Sequence, residues 1–118
     1  MGITTIKAKV FNPADESRAA EILFTVDSGA GYSVVPEAVL HDLGIAPRTT
    51  REFFLANGDC VERRMGLAHF EYLGRLSAAP VIFGEEGDAA LMGATTLEGF
   101  GFILDPFRRE LRPMPMRM

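Results

Sequence analysis

Apolar residues in this chain fall in short, often alternating runs that glycine and proline cut off, with 12 Gly and 7 Pro among 118 residues. That rhythm predicts an all-β domain with little helix, because half-buried strands carry a period-two pattern and turns demand those breakers. Ile3 to Phe11 reads as a first strand, stopped at Asn12-Pro13. Ala19 to Val26 reads as a second, with Ala20, Ile22, Phe24 and Val26 sharing a face, and the acidic Asp15-Glu16 stretch between them as a hairpin turn. Pro36 to Leu43 predicts a brief helix, since proline suits the first helical turn and Gly44 the left-handed position beyond the last.

Arg51 to Leu55 and Cys60 to Met65 flank Ala56-Asn57-Gly58-Asp59. Asn-Gly is a strong two-residue hairpin signal because both residues tolerate positive φ, so a projecting hairpin is expected there. Leu67 to Tyr72 alternates, with Leu67, His69 and Glu71 opposite Ala68, Phe70 and Tyr72. Leu73-Gly74-Arg75 turns the chain into a strand from Leu76 to Phe83. A charged, glycine-bearing loop, Gly84 to Asp88, precedes an apolar segment at Ala90 to Met92, a short helix over Thr95 to Phe100, a strand over Gly101 to Leu104 and a last strand near Glu110 to Arg112.

The 47% hydrophobic content supplies one modest core, so residues 1–118 are expected to form a single domain with no room for a second lobe. The net charge of -4 and scattered basic residues give no clustered face for nucleic acid. Arg108, Arg109, Arg112 and Arg117 form a basic tail, read as solvated. No apolar stretch is long enough to span a membrane, and no basic-then-apolar secretory pattern opens the sequence, so the expected compartment is the cytoplasm. Met1-Gly2 fails as a myristoylation signal because Ile6 stands where Ser or Thr is needed. The single cysteine, Cys60, excludes an intrachain disulfide and is expected to be a semi-buried strand residue. His41 and His69 lack companion ligands, so no metal is expected. Neither a G-x-S-x-G elbow around Ser28 nor a third glycine beside Gly99-Phe100-Gly101 is present.

The chemistry concentrates at Asp27-Ser28-Gly29-Ala30, delivered by the apolar run Ile22 to Val26. This puts one carboxylate at the end of a buried strand, beside a hydroxyl and a glycine, neighbours that a solvated surface Asp would not need. A second segment, Leu91-Met92-Gly93-Ala94, with two apolar residues before a glycine, follows later in the chain. Together they resemble the retropepsin-like (retroviral-type) aspartic proteases, and the Gly31 to Pro36 continuation is similar to the cellular and bacterial branch. The likeness spans roughly Phe24 to Leu104.

The resemblance implies the closed-barrel-like acid-protease fold with one or two short helices and one lobe per chain. It implies a homodimeric endopeptidase that hydrolyses peptide bonds of peptide or protein substrates without metal or organic cofactor. Carboxylate catalysis of this kind needs two acids sharing one proton, one activating water and the other polarising the carbonyl. With one Asp in the right setting, the second must come from another copy across a two-fold axis, as Asp27′. Ser28 would bond the partner's backbone, Gly29 would let the loops approach, and Ala30 would complete the loop. Leu55, Ala56, Asn57, Gly58, Asp59 and Cys60 would form the flap over the substrate. Val81, Ile82 and Phe83 would line an apolar subsite, and Leu91, Met92 and Gly93 would cross beneath the Asp27 loop in a ψ shape. The alternative expectation is a catalytically inactive dimeric β-domain that binds a peptide or protein partner.

Overall fold

The structure, a computed structural model, describes residues 3–118; Met1 and Gly2, on which the myristoylation reading turned, lie outside the described residues. The elements run β1 (Thr5–Asn12), β2 (Asp15–Val26), β3 (Ser33–Pro36), α1 (Glu37–Asp42), β4 (Thr49–Phe54), β5 (Cys60–Tyr72), β6 (Arg75–Gly84), β7 (Leu91–Met92), α2 (Ala94–Phe100), β8 (Phe102–Asp105) and β9 (Glu110–Pro113). Seven strands form one sheet in the order β1-β2-β7-β3-β6-β5-β4, and a further β1–β5 pairing closes it on itself. That closure pairs off edges an open sheet would carry and leaves β4 as the one at the margin. Strand β4 stays outside the closure, paired to β5 alone, and β8 and β9 make a separate ribbon. The all-β fold class is as the sequence predicts.

Alternation fills the core. Ile6, Ala8 and Val10 of β1, Phe24 and Val26 of β2, Ala68 and Phe70 of β5, and Val81 and Phe83 of β6 meet Val35, Leu40, Met92, Leu97, Phe100 and Phe102. Phe24 and Phe70, both fully buried, are tilted against each other at 6.1 Å between ring centroids. Helix α1 begins after Pro36 and ends at Leu43, with Gly44 at φ 77°, as the proline and glycine positions require.

Four sequence expectations change. Asp15 and Glu16 are not a turn but the start of β2; the chain reverses at Pro13-Ala14, where the Ala14 N–H donates to Asn12 Oδ1. The expected strands at Cys60 to Met65 and Leu67 to Tyr72 are one strand of 13 residues. Gly66 does not break it, because glycine there makes room: a Cβ would sit 3.0 Å from the Ala46 carbonyl oxygen and 3.0 Å from the Phe83 ring. The tight turn with two positive φ values occurs at Leu73 (52°) and Gly74 (77°) instead of at Asn57-Gly58. In the β4–β5 turn only Gly58 takes positive φ, at 90°, and the Gly58 N–H closes onto the Leu55 carbonyl at 2.9 Å. Finally, Cys60 is exposed, and its thiol donates to Glu52 Oε2 at 3.3 Å. That bond to a carboxylate pushes the thiol pKa up, the reverse of what a nucleophile needs.

Candidate active site

Asp27 is exposed directly beyond the end of β2. Its main chain is held firmly. The Asp27 N–H donates to the Met92 carbonyl at 2.9 Å, the Val26 N–H to Thr4 at 2.8 Å, and the Ala30 N–H to the Asp27 carbonyl at 3.1 Å. The carboxylate itself accepts the Gly29 N–H on Oδ1 at 3.0 Å. That backbone bond engages one carboxylate oxygen and leaves the other without a hydrogen-bond partner among the described residues.

The support beneath this loop is a crossing. Strand β7 lies between β2 and β3, parallel to the first (Thr25 with Leu91, Val26 with Met92) and antiparallel to the second (Val34 with Leu91). The Ala94 and Thr95 N–H groups then donate to the Ala30 and Gly31 carbonyls at 2.7 and 3.1 Å. Gly93 is where the backbones meet: a Cβ there would come within 2.5 Å of the Tyr32 carbonyl carbon and oxygen and 2.9 Å of the Ala30 oxygen. A buried polar chain ties the crossing together. The Gly93 N–H donates to Ser33 Oγ at 3.0 Å, Ser33 Oγ shares a hydrogen bond of 2.5 Å with Thr96 Oγ1, and the Ser77 hydroxyl donates to the Thr96 carbonyl at 2.9 Å. No buried side-chain polar atom among the described residues lacks a partner.

Asp27 opens into a cleft of about 740 Å³. Gly29, Ala30 and Gly31 form its floor with Asp27, and Val34, Ile82 and Leu91 one apolar wall. Phe53, Phe54, Leu55, Ala56, Val61 and Arg63 of the β4–β5 hairpin arch over it, and Gly87, Asp88 and Ala89 close the side. The predicted residues divide accordingly. Leu55 and Ala56 line the cleft, whereas Asn57, Gly58, Asp59 and Cys60 do not. Ile82 lines it, but Val81 and Phe83 turn into the core, 0% and 3% exposed, because β6 alternates and its parallel register sets them beside the buried Ser33 and Val35. Leu91 reaches the cleft wall, and Met92 is buried beneath it. Ser28 faces away, onto a shallow depression shared with Leu97, Ile103 and Leu104.

Arg63 and Asp88 escaped the sequence reading. Arg63 Nε donates to Asp88 Oδ2 at 2.7 Å and Nη2 to Oδ1 at 3.1 Å, with Glu85 3.7 Å away. The Arg63 guanidinium holds the Asp88 carboxyl below the usual carboxylate range. The bond joins the hairpin stem to the loop after β6. Tyr32 was also missed; it packs edge-on against Phe53 at 6.4 Å and accepts a hydrogen bond from Arg51 Nη1 at 2.8 Å. Among the described residues no group of acidic, histidine or cysteine side chains is arranged to hold a metal, and no helix is long and apolar enough to cross a membrane.

No protein-family model and no curated protein sequence matches the chain. Solved structures do. The solution structure of the simian foamy virus (mac) protease is similar over 80% of this chain and 91% of its own, with 22% identity and a TM-score of 0.56. The crystal structure of a retropepsin-like aspartic protease from Rickettsia conorii is similar over 88% of this chain and 77% of its own, with 24% identity and a TM-score of 0.64. With a closed sheet, a ψ crossing under an exposed aspartate and an overarching hairpin, the chain has the retropepsin fold.

Proposed function

We propose that this chain is one subunit of a homodimeric aspartic endopeptidase in which Asp27 and Asp27′ activate water against a peptide bond. The observation that carries the reading is the Asp27 carboxylate, exposed at the floor of an open cleft on a loop fixed from beneath by the Met92 carbonyl. Asp88, the other carboxylate of the cleft, is occupied by two bonds from Arg63, so the second acid of a pair has to come from another copy. The depression beside Ser28 supports a self-association face: Leu97, Ile103 and Leu104 surround it, and Ile103 is 47% exposed. A C2 contact there would bring two Asp27 loops together. One carboxylate then takes a proton from water while its protonated mate donates to the substrate carbonyl. The substrate lies extended between floor and flap, held by its main chain, with apolar side chains against Val34, Phe53 and Ile82.

The test is incubation of the purified protein with a diverse peptide pool between about pH 4 and 7, a range that brackets a carboxylate pair. Cleavage is expected, with a bell-shaped rate profile on the acidic side of neutral and sensitivity to a statine-type inhibitor. Asp27→Asn is expected to abolish cleavage and leave the dimer intact in sedimentation. Turnover that persists in Asp27→Asn overturns the mechanism; tight peptide binding without products would make the chain a binding module.

A further inference from the structure

The cleft does not stop at Tyr32. The same ring borders a second cavity of about 230 Å³, formed with Arg48, Thr49, Arg51, Met65 and Pro80. The β4–β5 register explains the continuity: Thr49 pairs with Met65, Arg51 with Arg63 and Phe53 with Val61. Alternation therefore puts Thr49, Arg51 and Phe53 on one face of the hairpin, the face that roofs the cleft at Phe53, Val61 and Arg63. A peptide extended under that roof and running past Tyr32 would set an outer side chain in this second cavity.

The charges there are unmatched. Among the described residues the ion pairs are Lys9 with Glu71, Arg63 with Asp88 and Glu85, Arg64 with Glu37, and Arg112 with Asp105. Arg48 and Arg51 belong to none of them. Arg51 is nonetheless oriented, since its Nη1 donates to the Tyr32 hydroxyl and its guanidinium carbon lies 5.5 Å from the Tyr32 ring centroid. One of the five guanidinium N–H groups is thus used, and the rest remain to donate. Arg48 is fixed at the backbone by a 2.7 Å bond to the Met65 carbonyl. A largely apolar hollow lined by two arginines that belong to no ion pair suits a short aliphatic stem ending in a carboxylate.

We propose that this cavity is an outer substrate subsite selective for an acidic side chain, Glu or Asp, with Arg51 and Arg48 as the specificity-determining residues and Tyr32 as the positioning residue for Arg51. The proposal rests on the peptide-cleft reading above, but its test does not need cleavage. The Asp27→Asn protein is titrated with extended peptides of about eight residues, apolar at the centre, carrying Glu or Gln at each outer position in turn. One position is expected to bind about two- to fivefold more tightly with Glu at low salt, the size of a partly exposed ion pair, and to lose most of that preference at high salt. Arg48→Met with Arg51→Met should erase the preference while keeping the parent's circular dichroism spectrum, and Arg48→Glu with Arg51→Glu should turn it toward Lys. Equal binding of Glu and Gln peptides at every position overturns the subsite, as does a Glu preference that survives the double Met variant. If the acidic preference is found but the parent enzyme cuts none of these peptides, the subsite stands and the protease reading falls.

Discussion

The floor and the roof of the cleft are built in opposite ways. Beneath Asp27, chain meets chain through backbone hydrogen bonds, and Ser33, Met92 and Thr96 are all fully buried. The roof side exposes Phe54 by 81% and Leu55 by 46%, and side-chain contacts at its stem, Arg63 with Asp88 and Arg51 with Tyr32, hold it. Backbone contacts in a dry interior allow one arrangement; side-chain contacts at a wet surface break and re-form cheaply. The Asp27 loop has the first kind of support and the β4–β5 hairpin the second.

Substitutions can break that contrast. The largest effect is expected for Gly93→Ala, whose methyl would press on the Tyr32 and Ala30 carbonyls and force main chain apart. A destabilisation of about 3 kcal/mol, measured by denaturant unfolding, should accompany loss of activity. Ser33→Ala removes the acceptor for the Gly93 N–H and the partner of Thr96 inside the protein, and about 2 kcal/mol is expected. If Ser33→Ala cost no more than a surface change, the floor would not be the rigid part.

On the roof, Asp88→Asn should cost less than about 1 kcal/mol at neutral pH, since both partners retain some solvent, yet should raise KM while leaving kcat nearly unchanged. Its pH dependence sharpens the case. Arg63 lowers the folded-state pKa of Asp88, so the carboxylate contributes stability above its unfolded-state value and loses it as pH falls through the folded one. The stability gap between parent and Asp88→Asn should therefore narrow below about pH 4, the ordinary carboxylate range. Thermal melts of both proteins across that range check the sign.

Local pattern carried much of this architecture. Alternation placed the core face of β2, and Pro36 and Gly44 bracketed α1, because each signal acts within a turn or two of chain. Asp27-Ser28-Gly29-Ala30 was legible for the same reason. What escaped depends on register. Arg63 and Asp88 are 25 positions apart, and nothing local says that β5 and the loop after β6 bring them together. Likewise, whether Ile82 or its neighbours Val81 and Phe83 face the cleft is decided by the parallel pairing with β3, a one-residue choice that a continuous apolar run leaves open. Gly66 misled because glycine serves close packing as well as turning. Asn57-Gly58 gave the right reversal with the wrong geometry, because a longer loop needs only its glycine in the left-handed region.

The seat of Asp27 comes from the far side of the chain: its N–H waits for the Met92 carbonyl, and the Ala30 carbonyl for the Ala94 N–H. During synthesis the aspartate leaves the ribosome long before the segment that must thread between β2 and β3. A nascent chain therefore carries its carboxylate on an unsupported loop until nearly all of the barrel has been made. Completion of the Asp27 loop is bound to that late, sequence-distant insertion, a slow kind of contact to form.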